Sequence, residues 1–226
     1  MPDIKKLSGR AIRIIVGPDK KDIYVHESLL QASSEYFGGM LRGQWEEAKR
    51  GVVILDDIDA EIFLVYQSFL YFAKVETKFG AIQEDQIVTE HERLVDCYVL
   101  GDRFRDNGFK NAVIDAINAS TRIKIDGLFR LPSGHTTTKI YMSTAEGSPL
   151  RRLIVDQHVT RGNSSWMHDA GVAQFHPQFL YDLSVAFMDD QASYQKANKI
   201  TPDSVPCKYH EHGANSVCCV QSCKYA

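Results

Sequence analysis

Apolar runs are short throughout this sequence. Stretches such as Ile14-Ile15-Val16 and Val52-Val53-Ile54-Leu55 fall far short of the roughly 20 residues a membrane-spanning helix needs, so no membrane partner is expected. Charge of one sign is also scarce: 26 Lys and Arg stand against 29 Asp and Glu, for a net charge of -3. Without a basic stripe, direct binding to nucleic acid is not expected. The start, Met1-Pro2-Asp3-Ile4-Lys5-Lys6, lacks the apolar core and small-residue cleavage site of a secretory signal. Cysteine is sparse: there are 5, and four of them crowd between Cys207 and Cys223. An odd number gathered at one end makes a poor disulfide framework, which points to a reducing, intracellular setting, cytoplasmic or nuclear. No Gly-rich phosphate loop, G-x-S-x-G or H-E-x-x-H occurs, and Cys97 sits on ordinary helical periodicity. The chain is therefore not expected to be an enzyme.

What is present suffices for a core, since 44% of the residues are hydrophobic. Ala11 to Val16 reads as a strand, Gly17-Pro18-Asp19-Lys20-Lys21 as a turn, and Ile23-Tyr24-Val25 as the returning strand. A helix with Leu29 and Leu30 inward follows. Ser33 and Ser34 break it and cap the next helix, which carries Tyr36, Phe37, Met40 and Leu41. Gly38-Gly39 inside that helix costs about 1 kcal/mol per glycine relative to alanine, and close backbone packing is the expected reason. Val52 to Leu55 reads as a buried strand. Asp59 is placed to cap a helix bearing Ile62, Phe63, Tyr66, Phe69 and Leu70. Another helix opens at Glu84 to Glu92 and carries Leu94, Val95, Tyr98 and Val99. Asn107-Gly108 interrupts, and Phe109, Val113, Ile114 and Ile117 mark one more helix.

The fold class read from this pattern is α+β: a small sheet packed among helices over residues 1–120, a helical extension over 121–197, and a Cys/His-rich tail over 198–226. Residues 121–147, rich in Thr and Ser and punctuated by Pro132-Ser133-Gly134 and Glu146-Gly147, read as loop. Ser148-Pro149 is placed to open a helix through Leu150 to Val155. Pro177 opens another, with Leu180, Leu183 and Phe187 on its inner face.

Several of these segments resemble the BTB/POZ domain family. The front half is similar at Ile14-Ile15-Val16-Gly17, Tyr24-Val25-His26-Glu27-Ser28-Leu29-Leu30 and Ser33-Ser34-Glu35-Tyr36-Phe37. The middle is similar at Val53-Ile54-Leu55-Asp56-Asp57-Ile58 and Phe69-Leu70-Tyr71, and the later helix at Leu94 to Phe104. With Ser148-Pro149-Leu150-Arg151-Arg152-Leu153 and Cys207-Lys208-Tyr209-His210, the whole chain looks like the short BTB proteins of filamentous fungi. The resemblance implies a non-enzymatic protein–protein interaction module. Self-association, and service as a substrate adaptor in a cullin-type ubiquitin ligase, belong to what it implies. A transcription-linked regulator, or an assembly module that binds no cullin, is the alternative. Fewer than a dozen residues precede the first strand, so the extra N-terminal helix that many dimeric members exchange is not expected.

Trp45-Glu46-Glu47 fits the pattern of a hydrophobic residue, any residue and a glutamate found in cullin-binding members. Trp45 and Glu47 are therefore candidate partner-binding residues, since aromatics dominate interface hot spots. The other reading folds Trp45 onto its own domain and leaves Glu47 solvated. His26, at a strand-to-helix junction, is expected to bond nearby backbone at the helix start. Cys207, His210, Cys218 and Cys223 have the residue types of a structural zinc site, with His212 and Cys219 as substitutes. The alternative there is a tail with reactive thiols.

Overall fold

Alternation in the first strands sorts their side chains onto two faces. In β1 (Ala11–Val16) Ile12, Ile14 and Val16 are buried, whereas Ala11 and Arg13 face outward. β2 (Lys21–His26) returns antiparallel through the predicted turn, and β3 (Val52–Leu55) joins β1 in parallel, giving the order β2-β1-β3. The register sets Ile14 between Ile23 and Val53. All three are buried, so one sheet face is a continuous apolar layer.

The computed structural model describes residues 9–42, 51–76, 84–122, 124, 125, 127–164, 167, 171–194 and 209–211. The chain divides into two compact units: Met1–Phe79 with Asp96–Val113, and Gly80–Val95 with Ile114–Ala226.

Helices complete the first unit: α1 (Glu27–Ser33), α2 (Glu35–Arg42), α3 (Ala60–Phe72), the end of α4 (Glu84–Arg103) and the start of α5 (Asn107–Ser120). Ser34 ends α1 and caps α2, its Oγ accepting from the Phe37 N–H at 3.2 Å and donating to the Phe104 carbonyl at 2.6 Å. Asp59 caps α3 as expected, accepting from the backbone of Glu61 and Ile62. Their inward faces meet in an aromatic cluster. Phe104 lies 4.8 Å from Phe37 and 5.1 Å from Tyr66, centroid to centroid, and Tyr66 lies 4.9 Å from Phe109.

Two local expectations change. Asn107-Gly108 does not interrupt a helix but opens α5, because Asp106 Oδ1 accepts from the Phe109 N–H at 2.8 Å and caps it. Close packing does not explain Gly38-Gly39 either. A Cβ on Gly38 would meet Gln31 O at 3.5 Å, an ordinary contact, and one on Gly39 would meet nothing within 4 Å. A helical glycine that is crowded in this unit is Gly101, where a Cβ would lie 2.8 Å from Lys110 Cγ and 3.2 Å from Phe109 Cδ1.

The second unit is more ordered than its polar composition predicts. A small hairpin pairs β4 (Lys124–Ile125) with β5 (Leu128–Phe129), and α6 (Gly134–Ser143) fills much of the stretch read as loop. Ser133 caps α6 by accepting from the Thr136 N–H at 3.2 Å. α7 (Pro149–Arg161) starts at the predicted proline and runs further than Val155. α8 (Pro177–Tyr194) also starts at its proline. Its anchors are Phe179 and Leu183, which are buried, whereas Phe187 is exposed. Phe179 stacks on Phe175 at 5.7 Å and meets the edge of Tyr141 at 5.7 Å. Arg151 locks the end of α6, donating to the carbonyls of Tyr141 and Thr144 with its guanidinium 4.5 Å from the Tyr141 ring centroid. The fold is α+β, a small three-stranded sheet followed by several helices, as the sequence pattern predicts.

Candidate protein-interaction surface

Trp45, Glu46 and Glu47 lie outside the described residues, between α2 and β3. On the near side, the Tyr36 N–H of α2 donates to Phe104 O at 3.3 Å, and the Tyr36 ring stacks on Phe104 at 5.6 Å. On the far side, Gly51 takes a φ of +67°, a left-handed conformation that favours glycine. Its carbonyl accepts from the Arg13 N–H at 3.0 Å, which sets the entry into β3.

The outer face of the sheet carries exposed apolar side chains. Tyr24 pairs with Arg13, Arg13 with Val52, and Ile54 follows Val52 by two residues, so all point to one side. Tyr24 is 57% exposed and Ile54 65%. Between them Arg13 is bidentate to Asp22, with Nε and Nη2 each donating at 2.9 Å. That pair closes a charge and leaves the apolar side chains to dominate the face. Phe72, at the end of α3, is exposed as well. Nearby, Arg103 holds Asp57 by two bonds of 2.5 and 3.0 Å, and those bonds keep the Asp57 carboxyl below the usual carboxylate range.

His26 makes no cap bond at the start of α1. Instead the Tyr71 hydroxyl accepts from the His26 backbone N–H at 3.2 Å and sits 2.7 Å from its Nδ1. One hydroxyl thus meets both the backbone and the ring, tying β2 to α3. Gln67 adds a second tie, donating to the Tyr24 carbonyl at 2.9 Å. His26 serves the fold, as expected, through a partner 45 residues away rather than through local backbone.

A buried carboxylate that the sequence does not single out joins three helices. Asp106 Oδ2 accepts from Ser33 Oγ of α1 at 2.5 Å and from the Tyr66 hydroxyl of α3 at 3.0 Å, while Oδ1 caps α5. Burial pushes the Asp106 carboxyl up, and the donors from Ser33, Phe109 and Tyr66 pull it back. Burial likewise pushes the Tyr66 hydroxyl up, helped by the adjacent Asp106. With its donors present, this is a satisfied polar network inside an apolar cluster. Cys97 is a thiol, fully buried on α4, which is where a small core residue belongs.

The second unit holds further residues of interest. Tyr181, Val185 and Met188 recur at i, i+4 and i+7 on α8, and all three are exposed. Of the predicted metal ligands, His210 is described and Cys207, Cys218 and Cys223 lie outside the described residues, as do His212 and Cys219. The His210 side chain is 4% exposed, and its Nε2 lies 2.9 Å from Asp115 Oδ1 on α5. Tyr209 beside it is 2% exposed, and its hydroxyl donates to Asp156 Oδ2 on α7 at 2.6 Å. Among the described residues, no three His, Cys, Asp or Glu side chains group as a metal site.

No helix among the described residues is long and apolar enough to cross a membrane. No curated protein matches the chain. A family model does match, and it spans the strands and helices built above. Residues 12–108, from the first buried isoleucine of β1 to the first turn of α5, match the BTB/POZ domain, whose members are protein–protein interaction modules.

Proposed function

We propose that the chain is a non-enzymatic adaptor whose first unit docks on a protein partner, a cullin N-terminal domain, with Trp45 as the apolar anchor and Glu47 as the adjacent charge. The observation that carries this reading is the BTB/POZ match over residues 12–108, on a unit whose exposed large side chains include Tyr24, Ile54 and Phe72. Aromatic anchors seated in a partner's groove supply most of the binding energy at interfaces of this kind. The second unit recruits the protein to be modified, and Tyr181, Val185 and Met188 on α8 are the surface offered for it. The odd cysteine count agrees with work inside the cell. The likeness to short fungal BTB proteins belongs to the same proposal.

The test is isothermal titration of the full chain with a cullin N-terminal domain. Micromolar or tighter binding supports the adaptor. Absence of binding by well-folded protein removes it and leaves an assembly module acting through self-association.

A further inference from the structure

The two edges of the three-stranded sheet are finished differently. On β2, side chains of α3 take up the outward backbone groups: the His26 N–H donates to the Tyr71 hydroxyl at 3.2 Å, and the Tyr24 carbonyl accepts from Gln67 at 2.9 Å. β3 forms the opposite edge, and among the described residues no strand pairs beyond it. Its Gly51 and Leu55 carbonyls are turned to β1, accepting from the N–H groups of Arg13 and Gly17 at 3.0 and 2.9 Å. Backbone groups alternate along a strand, so the N–H and C=O of Val52 and Ile54 point away from β1. Neither residue makes a backbone hydrogen bond on that side among the described residues. Such an edge is a template for another strand. β3 is short, yet it carries no charged residue and no proline to discourage strand addition, and its Ile54 side chain is 65% exposed.

Charge at the two ends of β3 selects a second copy of the chain as its occupant. At the start of the strand a Cβ on Gly51 would meet the Arg10 guanidinium at 3.5 Å. At the other end the exposed Asp56 follows Leu55. Arg10 also lies 3.4 Å from Glu27, and the neighbouring Asp57 is held by Arg103. Two β3 strands laid antiparallel bring the cationic end of each to the acidic end of the other, whereas parallel strands set like against like. We propose that two copies of the chain associate through β3, antiparallel about Val53, so that their sheets become one. In that register Val52 of one copy faces Ile54 of the other, and each such pair exchanges two N–H···O bonds. The contact is small, so the association is weak and reversible.

The experiment is sedimentation equilibrium of the full chain across about 1–500 µM, with amide hydrogen exchange at both ends of that range. It contains no cullin, so its outcome and that of the cullin titration are separate. Wild type is expected to pass from monomer to dimer, and the Val52 and Ile54 amides to gain protection as it does. The His26 amide, already bonded to Tyr71, should be protected throughout. Ile54→Pro removes an outward N–H while sparing the ladder to β1, and it is expected to weaken the dimer about tenfold or more. Ile54→Lys places a charge on the open edge without altering the backbone, and it should weaken the dimer as well. Circular dichroism on each variant separates loss of the contact from loss of the fold. A wild-type monomer over the whole range overturns the proposal and leaves the edge for an extended peptide of another protein. A dimer that folded Ile54→Lys leaves unchanged overturns it too.

Discussion

Tyr66 and Asp106 lie 40 residues apart in the chain and meet inside the first unit, the tyrosine hydroxyl donating to the carboxylate at 3.0 Å. Ser33 donates to the same oxygen from a third helix. Truncating the carboxylate strands the buried Tyr66 hydroxyl and the half-buried Ser33 hydroxyl, and it removes the cap of α5 at once. Asp106→Ala is therefore expected to cost about 3–5 kcal/mol. Urea unfolding of the full chain checks this, and a loss below about 1 kcal/mol would contradict it.

The glycines of α2 and α4 should respond with opposite signs. Gly39 is exposed, mid-helix and clear of neighbours, so Gly39→Ala is expected to stabilise by about 0.5–1 kcal/mol. At Gly101 a Cβ would press on Lys110 and Phe109, and Gly101→Ala is expected to destabilise by about 1–3 kcal/mol. Thermal melts of the two variants beside wild type decide it, and the same sign for both would refute the packing argument.

Two buried histidines make the second unit acid-sensitive. Burial holds His91 and His158 down to about 4, against an ordinary value of 6.5. His91 Nε2 lies 3.0 Å from Ser120 Oγ, and His158 donates from Nδ1 to Ile154 O at 2.8 Å. Because the folded values are depressed, the unfolded chain takes up protons first. The stabilisation is complete above pH 6.5, falls below it, and is gone by about pH 4. Each ring contributes up to about 3 kcal/mol over that window. Asp106, whose carboxyl is raised in the fold, opposes part of the loss at the acid end. Unfolding midpoints between pH 7.5 and 4.5 test this, and a flat profile would speak against it.

Tyr209 packs into the second unit. Its ring is buried and its hydroxyl bonded to Asp156. Tyr209→Ala is expected to cost about 3–5 kcal/mol, as other large aromatic truncations in cores do, and Tyr209→Phe about 1–2 kcal/mol. Denaturant titrations of both variants measure this, and no effect of Tyr209→Ala would contradict it.

Much of this was legible in the residues. Alternation in β1 and the caps at Ser34 and Asp59 depend on local chemistry, so pattern reading finds them. Asp106 was not legible, because its partners Ser33 and Tyr66 come from distant helices and only the fold brings them together. α6 was hidden by Thr136, Thr137 and Thr138, β-branched residues with weak helix propensity. Tertiary burial compensates there, since Thr136 and Thr137 are inside. Tyr209 looked like tail because its surroundings are polar, and its aromatic ring was the signal to weigh. Trp45 is singled out by motif alone, and it lies outside the described residues.

The most direct test of the central claim is therefore a comparison of wild type, Trp45→Ala and Glu47→Ala in binding to the cullin N-terminal domain, with circular dichroism to verify folding. The adaptor account predicts that Trp45→Ala weakens binding by about 1–3 kcal/mol and that Glu47→Ala weakens it less, with both variants folded. Equal binding by all three proteins would contradict the assignment of Trp45 as the anchor.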